Sequence, residues 1–207
     1  MWLPVLVGIL TSYLLGNLNG AVCMSALMHD DVRAHGSGNA GLTNFVRNYG
    51  AGKALFVVLI DAGKAVLACV VTGLLLKPYG QYALGAAIGG FAVMTGHSFP
   101  ALLGFRGGKG ILSGLFIAFV LDWRVALIIL AVFAIVYVLS GYVSLGSVIA
   151  ATVFGIGLAV SYWGNLPVML CSIGMGAMAV FMHRGNIARL ISGTERKTNL
   201  FKKGKGE

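Results

Sequence analysis

Three polar, glycine-rich segments interrupt a chain that is otherwise strongly apolar. The first, GSGNAGLTNFVR, occupies residues 36–47. Its glycines allow tight turns that expose backbone N–H groups, and its short polar side chains add hydrogen-bonding groups. Arg47 contributes a forked cation. The segment has the composition of a cradle for phosphate or another oxyanion, and its candidate ligands are Ser37, Gly38, Asn39, Asn44 and Arg47.

The second segment, GHSFPALLGFRGGKG, occupies residues 96–110. His97 lies at the end of one predicted helix, and Lys109 lies in a glycine turn just before the next. A lysine beside exposed backbone at a helix start suits phosphate, because the helix dipole and the charge act together. The segment is not a Walker A loop, since the GxxxxGK[ST] spacing is absent.

The third segment, HRGNIARLISGTE, begins at His183. It places His183, Asn186 and Arg189 three residues apart, so that a helix brings them onto neighbouring positions of one face. A histidine at a helix end is commonly structural. The proximity of His183 to the two other polar segments favours a binding role.

The elements that must hold these segments are membrane helices. Of the 207 residues, 58% are hydrophobic and 10% are charged, and the mean hydropathy is +0.90, whereas soluble domains carry about 25% charged residues. A membrane span needs about 20 apolar residues in a helix. The sequence predicts one all-α, polytopic membrane domain over residues 1–207, with seven transmembrane helices at approximately 3–27, 54–76, 81–96, 107–121, 125–140, 147–163 and 166–182. The fourth and fifth are short, so a helical hairpin or two half-spans is an alternative there.

The distribution of Lys and Arg predicts the orientation. Seven spans place the segments around 28–53, 97–110, 140–147 and 183–207 on one side, with twelve Lys or Arg residues against two on the other side. Positively charged loops stay in the cytoplasm, so we expect an external N-terminus and a cytoplasmic C-terminus. The net charge of +9 then reflects topology and does not indicate a nucleic-acid partner. The basic tail, 193–207, is expected to lie on the anionic leaflet or in solvent.

Few residues outside these segments suggest chemistry. Lys64 follows Asp61 by three residues in the second predicted span, and an ion pair is favoured over a proton relay. Glycines at a spacing of four, such as Gly16 and Gly20, predict close helix packing. The three cysteines are scattered without metal-ligand spacing, and the cytoplasmic segments contain few carboxylates. The sequence therefore predicts no metal site.

Taken together, the polar segments resemble the PlsY family of bacterial glycerol-3-phosphate acyltransferases. They are similar to the three cytoplasmic motifs of that family, in the same order and at similar spacing, and GYVSLGS at 141–147 is similar to a further loop. The resemblance extends over nearly the whole chain. It implies seven helices in the inner membrane with the N-terminus outside. It also implies transfer of an acyl chain from acyl phosphate to the 1-hydroxyl of sn-glycerol 3-phosphate, which yields lysophosphatidic acid and phosphate.

The resemblance implies roles for particular residues. Ser37, Arg47, Lys109 and Ser144 would form a phosphate-binding cavity, and His183 with Asn186 would hold glycerol 3-phosphate. Catalytic roles would fall to Ser37, Arg47, Lys109, His183 and Asn186, and substrate-binding roles to Gly38, Asn39, Asn44, His97, Gly108 and Ser144. No cofactor is implied, and neither acyl-CoA nor acyl carrier protein would donate directly. The acyl chain would enter from membrane lipid through a gap between helices.

This chemistry agrees with what the sequence lacks. An acyl phosphate has phosphate as its leaving group, so its cleavage needs little help from a general acid. The HxxxxD, GxSxG and HExxH signatures are absent. We expect Arg47 and Lys109 to screen phosphate charge, backbone N–H groups near Gly38 and Gly108 to bind the oxyanion, and a substrate phosphate to take the alcohol proton. A membrane transporter for a small phosphorylated anion is the alternative, although no convincing internal repeat is present.

Overall fold

A computed structural model describes residues 2–197, and every regular element in that range is a helix. The predicted all-α class is therefore confirmed for this part of the chain. From residue 198 onward the predicted basic tail lies outside the described residues. The α-helices are α1 Trp2–Asn17, α2 Gly20–Ala26, α3 Leu42–Tyr49, α4 Ala54–Leu76, α5 Tyr82–Ser98, α6 Ile111–Leu121, α7 Trp123–Ser140, α8 Val143–Ser161, α9 Leu166–Met182 and α10 Arg184–Ile191. Short 3₁₀ turns occur at Val32–Ala34, Lys77–Tyr79 and Ala101–Leu103.

Within the described residues, four helices are long and apolar enough to cross a membrane. These are α4 and α5, each with the 3₁₀ turn that follows it, together with α7 and α8. The bent pairs α1–α2 and α9–α10 pass the same test as pairs, so length and composition allow up to six spans. α6 is apolar but has 11 residues, which corresponds to about 16 Å at 1.5 Å per residue. Each of the seven predicted segments contains a helix, although the fourth helix begins at Ile111 and not at residue 107, and seven full spans stay a prediction.

The first predicted span, 3–27, is not one continuous helix. It breaks between Asn17 and Gly20, where the axis bends by 42°. Asn19 caps α2 by accepting a hydrogen bond from the Val22 N–H at 3.1 Å, and its own NH₂ group donates to the Ala40 carbonyl at 2.9 Å. The break therefore ties the start of α2 to the first polar segment.

The ion pair on α4 fills this break. Lys64 Nζ lies 2.8 Å from Asp61 Oδ1, which confirms the predicted pairing. The Lys64 ammonium also donates to the carbonyls of Gly16 and Leu18 at the end of α1, and the Asp61 carboxylate accepts from the Gly20 N–H at 3.1 Å at the start of α2. Each charge thus complements the dipole of the helix end that it contacts. Backbone groups left unpaired by the break are satisfied inside an apolar region.

Small residues allow the helices to approach closely. The main cluster of buried side chains is contributed by α4 to α9, and its larger members include Met94, Ile117, Phe154, Leu158 and Met175. Where α1 crosses α5, a side-chain carbon on Gly16 would lie 2.7 Å from the Cα atom of Gly96. Only glycine leaves enough room for this crossing, which confirms the predicted packing role of Gly16.

Gly16→Ala is expected to destabilise the folded protein, because its methyl group would press on the backbone of α5 and one helix would have to move. We expect the free energy of unfolding to fall by about 1–3 kcal/mol, seen as a lower thermal midpoint in detergent. Gly63→Ala on α4 is the matched control, since no atom lies within 4 Å of a side-chain carbon at that position. Equal destabilisation by the two variants would contradict the close crossing of α1 and α5.

Candidate active site

A cavity of about 750 Å³ lies where the three polar segments meet. All the predicted site residues line it except Gly38 and Gly108. The apolar part of its wall comes from α6, α7 and α8 and includes Leu112, Leu115, Ile129, Leu130 and Phe133. The segments that were predicted to share one membrane side therefore converge on one site.

Asn44 holds the first segment in shape. Its NH₂ group donates to the carbonyls of Val32 and His35 at 3.0 and 3.1 Å, and its Oδ1 accepts from the Ser37 N–H at 3.0 Å. The sequence predicts Asn44 as a substrate ligand, whereas the structure commits its polar atoms to the loop. Its role here is to position the Ser37 backbone at the edge of the cavity.

Gly38 and Gly108 also serve the loops. The Gly38 N–H donates to the His35 carbonyl and the Gly108 N–H donates to the His97 carbonyl, each at 3.0 Å. Both N–H groups are thus engaged within the protein, so the predicted binding of the oxyanion by backbone N–H groups near these glycines would fall to their neighbours. Gly108 has another purpose, because a methyl group there would collide with the ring of His97.

A chain of hydrogen bonds connects the second segment to the third. The Lys109 ammonium donates to Asn186 Oδ1, the Asn186 NH₂ group donates to Glu195 Oε1 at 2.7 Å, and Arg189 Nε donates to Glu195 Oε2 at 2.6 Å. Lysine can only donate and an ionised carboxylate can only accept. The two charged neighbours therefore fix which way the Asn186 amide points.

Glu195 is a site residue that the sequence prediction did not include. After α10, Gly193 adopts a φ of +70°, and the N–H groups of Thr194 and Glu195 both donate to the Arg189 carbonyl at 2.9 and 3.1 Å. This C-terminal turn folds the carboxylate back over α10, where the Glu195 side chain is 7% exposed. A glycine just past a predicted helix end is the signal that points to such a turn.

Burial lowers the pKa of Lys109 to about 8. Repulsion from Arg189 and Arg47 adds to the shift, and attraction to Glu195 opposes it. Burial acts to raise the pKa of Glu195, but hydrogen bonds from donors such as Asn186 and Arg189 outweigh it, so the pKa of this carboxyl is lowered. Glu195 is therefore ionised at neutral pH, and Lys109 is positively charged below about pH 8.

Ser144 lies in the first turn of α8, because this helix begins at Val143 and not at the predicted residue 147. Its hydroxyl oxygen is buried and makes no direct hydrogen bond to any residue in the range 2–197. The hydroxyl is still near enough to Glu195 to favour the ionised carboxylate. A buried hydroxyl without a direct partner in a polar cavity is available to a ligand.

His97, at the end of α5, lies between the buried ion pair and the second segment. Its Nδ1 is 2.8 Å from Lys64 Nζ and 3.7 Å from Asp61 Oδ1. The opposite edge of the ring, which carries Nε2, packs against Gly108. The residue is 4% exposed and borders the cavity.

His183 joins α9 to α10 at a bend of 54°. Its Nδ1 lies 2.8 Å from the carbonyl oxygen of Ala179. A carbonyl can only accept, so Nδ1 carries the proton and Nε2 of the neutral ring is left as an acceptor. In the part of the chain that the structure describes, no group of three or more His, Cys, Asp or Glu residues could hold a metal ion.

The chain is similar to known proteins over almost its full length. A family model described as glycerol-3-phosphate acyltransferase matches residues 6–193. Curated relatives named glycerol-3-phosphate acyltransferase also match, and two of them illustrate the identity and coverage. The one from Thermoanaerobacter sp. (strain X514) is 38% identical over 190 residues, which cover 90% of this chain and 91% of the relative. The one from Halalkalibacterium halodurans is 40% identical over 195 residues, which cover 91% of this chain and 93% of the relative.

Two solved structures are similar in fold. Both are crystal structures of PlsY (YgiH), described as an integral membrane glycerol 3-phosphate acyltransferase. Its glycerol 3-phosphate form matches with a TM-score of 0.86 and 30% identity, covering 96% of this chain and 99% of that chain. Its lysophosphatidic acid form matches with a TM-score of 0.83 and 30% identity, covering 95% and 96%.

Proposed function

The chain belongs to the glycerol-3-phosphate acyltransferase family, and from that premise we propose that acyl phosphate is its acyl donor. The protein is a multi-pass membrane enzyme that acylates glycerol 3-phosphate. The proposed reaction yields lysophosphatidic acid and inorganic phosphate. One observation carries the proposal: a single cavity combines a cluster of cations with an apolar wall between helices. Such a cavity suits a donor with a phosphate at one end and a hydrocarbon chain at the other.

The cationic part of the cavity suits two phosphorylated reactants. Each phosphate monoester or acyl phosphate carries about −1.5 to −2 charges near neutrality by analogy with other phosphoesters. Arg47 and Lys109 would bind the phosphate of the donor, with the hydroxyls of Ser37 and Ser144 as further ligands. Bidentate and charge-assisted hydrogen bonds of this kind are the strong ones. Without such cations, two dianions would repel one another at the distance that acyl transfer requires.

His183 and Asn186 would hold glycerol 3-phosphate. The Nε2 lone pair of His183 is suited to accept a hydrogen bond from a glycerol hydroxyl, which orients the alcohol for attack. The alcohol oxygen forms a bond to the acyl carbon, and the carbonyl oxygen becomes an oxyanion. Collapse of this intermediate breaks the bond between the acyl carbon and the phosphate oxygen. The alcohol proton ends on the released phosphate, so no side chain has to act as a titrating base.

The apolar part of the cavity would take the acyl chain. Leu130 on α7 lines the cavity and is also 46% exposed on the surface of the bundle. The cavity would then open at the outer surface of α7, where a membrane protein meets lipid. A chain that moves from lipid into this gap exchanges one apolar environment for another, so it gains little hydrophobic free energy. Binding would then depend mainly on the phosphate contacts.

We further propose that the site faces the cytoplasm at the bacterial inner membrane. The excess of Lys and Arg in the segments that form the cavity supports this orientation. Glycerol 3-phosphate is a small charged solute, and an opening towards the cytoplasm would give it access. The acyl phosphate would arrive laterally through the bilayer.

Purified protein in detergent should release inorganic phosphate only when both acyl phosphate and glycerol 3-phosphate are present. Lys109→Ala and Asn186→Ala should each lower kcat/KM by about 100-fold or more, because each removes a polar contact to a charged reactant. Arg106→Ala is the matched control. It removes an exposed cation from the same loop, outside the cavity lining, and should keep near-normal activity. Uptake of glycerol 3-phosphate into sealed vesicles without acylation would contradict the proposal and support transport.

The pH dependence should follow Lys109. Because the pKa of this base is lowered to about 8, its charge is present below pH 8 and lost as the pH rises through that value. The phosphate of glycerol 3-phosphate is already ionised in this range, since its second pKa is about 6. We expect kcat/KM for glycerol 3-phosphate to fall above about pH 8, and Lys109→Arg to move this fall to higher pH because arginine stays charged. An unchanged alkaline limb in Lys109→Arg would exclude Lys109 as the titrating group.

A further inference from the structure

We infer that His97 is a catalytic residue that donates a hydrogen bond from Nε2–H to the oxyanion formed during acyl transfer. The inference rests on the proposed function and adds to it a group that neither the motifs nor the comparisons assign to this step. Acyl transfer needs a donor at the carbonyl oxygen, where negative charge develops. The sequence suggests backbone N–H groups near Gly38 and Gly108 for this purpose, and those of Gly38 and Gly108 themselves are bonded to carbonyls of the protein.

The hydrogen bonds around Lys64 determine where the His97 proton lies. An ammonium group has three protons to donate and no lone pair to accept with. Lys64 Nζ lies 2.8 Å from His97 Nδ1 and 2.8 Å from Asp61 Oδ1, and the carbonyls of Gly16 and Leu18 at the broken first helix share its third proton. His97 Nδ1 must therefore accept from Lys64. The neutral ring then carries its proton on Nε2.

The same contacts keep the ring neutral. A second proton on Nδ1 would place an N–H group directly against the Lys64 ammonium, and no acceptor would be left for it. Asp61 Oδ1 is 3.7 Å from Nδ1, which is too long for a hydrogen bond, and this oxygen already accepts from Lys64 and from the Gly20 N–H. His97 is thus built as a fixed donor and cannot serve as a base through either nitrogen.

The Nε2 edge of the ring is placed beside the proposed phosphate site. It packs against Gly108, whose neighbour in the chain is Lys109, and His97 and Lys109 both line the cavity. Within residues 2–197, Nε2 makes no hydrogen bond, and it is not among the buried side-chain atoms that lack a partner. In an acyl phosphate, one bridging oxygen separates the phosphorus from the acyl carbon. With the phosphate on Lys109, the carbonyl oxygen would therefore lie near the part of the cavity wall that His97 forms.

His97 donates a hydrogen bond to the oxyanion and transfers no proton. As the glycerol oxygen bonds to the acyl carbon, the π electrons of the carbonyl move to its oxygen, and Nε2–H of His97 stabilises that charge. When the intermediate collapses, the electrons return, phosphate leaves with the bridging oxygen, and the alcohol proton goes to phosphate. His97 is unchanged at the end of the cycle. The ammonium behind Nδ1 polarises the ring and makes Nε2–H a stronger donor.

The test compares a variant that removes the donor with one that retains it. His97→Leu should lower kcat by about 100- to 1000-fold, as expected for loss of one oxyanion donor, with KM for glycerol 3-phosphate changed by less than about 3-fold. His97→Gln can present an amide NH₂ near the position of Nε2 and should recover at least 10-fold of that loss. His35→Gln is the matched control, because His35 is an exposed histidine just before the first segment that pairs with Asp30, and it should be fully active.

The outcomes separate this inference from the proposed function. Wild-type protein without acyl phosphate turnover would overturn the proposed function, and the inference with it. Wild-type turnover together with a normal kcat in His97→Leu would overturn the inference alone. So would a loss in which KM rises and kcat is kept. If His97→Leu does not fold, ¹⁵N NMR of histidine-labelled wild-type protein decides: a protonated Nε2 with a bare Nδ1 supports the inference, and a protonated Nδ1 contradicts it.

Discussion

The ion pair between Asp61 and Lys64 connects the broken first helix to the active site. A helix that breaks in an apolar region exposes carbonyl and N–H groups that water cannot reach, and each would be costly if left unpaired. The pair satisfies both sides of the break. Burying two charges is itself costly, and good hydrogen-bonding geometry is what offsets the desolvation. The two cavity loops depend on this arrangement, one through Asn19 and Ala40 and the other through His97 and Gly108.

The cavity must gather several cations although their mutual repulsion favours loss of a proton from Lys109. Burial is the main cause of the lowered pKa of Lys109, and repulsion from the nearby Arg189 and Arg47 adds to it. Glu195 moderates the effect, because its carboxylate pairs with Arg189 and attracts Lys109. The Glu195 carboxylate can therefore lie beside a site that binds anionic substrates. It keeps Lys109 protonated near neutral pH, while the hydrogen bond to Asn186 orients the amide that contacts Lys109.

The sequence predicts the fold class, the helical segments and most of the cavity residues, because apolar runs, glycine turns and clustered polar side chains are local signals. It does not predict the break at Asn19, since an asparagine within an apolar run can be tolerated or can cap a new helix, and the choice depends on Asp61 and Lys64 from another helix. Asn44 illustrates a second limit. Residue type marks it as polar and close to the site, but only the folded loop decides whether its amide serves a ligand or the backbone. Glu195 illustrates a third limit, because it is brought to the site only by the turn that follows α10.

The central claim is that one cavity receives the phosphate of an acyl phosphate on its cations and the acyl chain between its helices. A solved structure of the protein with glycerol 3-phosphate and a non-hydrolysable acyl phosphonate tests this most directly. The account predicts that the phosphonate contacts Lys109 and Arg47, the carbonyl oxygen lies within hydrogen-bond distance of His97 Nε2, and the chain runs past Leu130 on α7. A phosphonate bound away from Lys109, or a chain that leaves the cavity elsewhere, would contradict it.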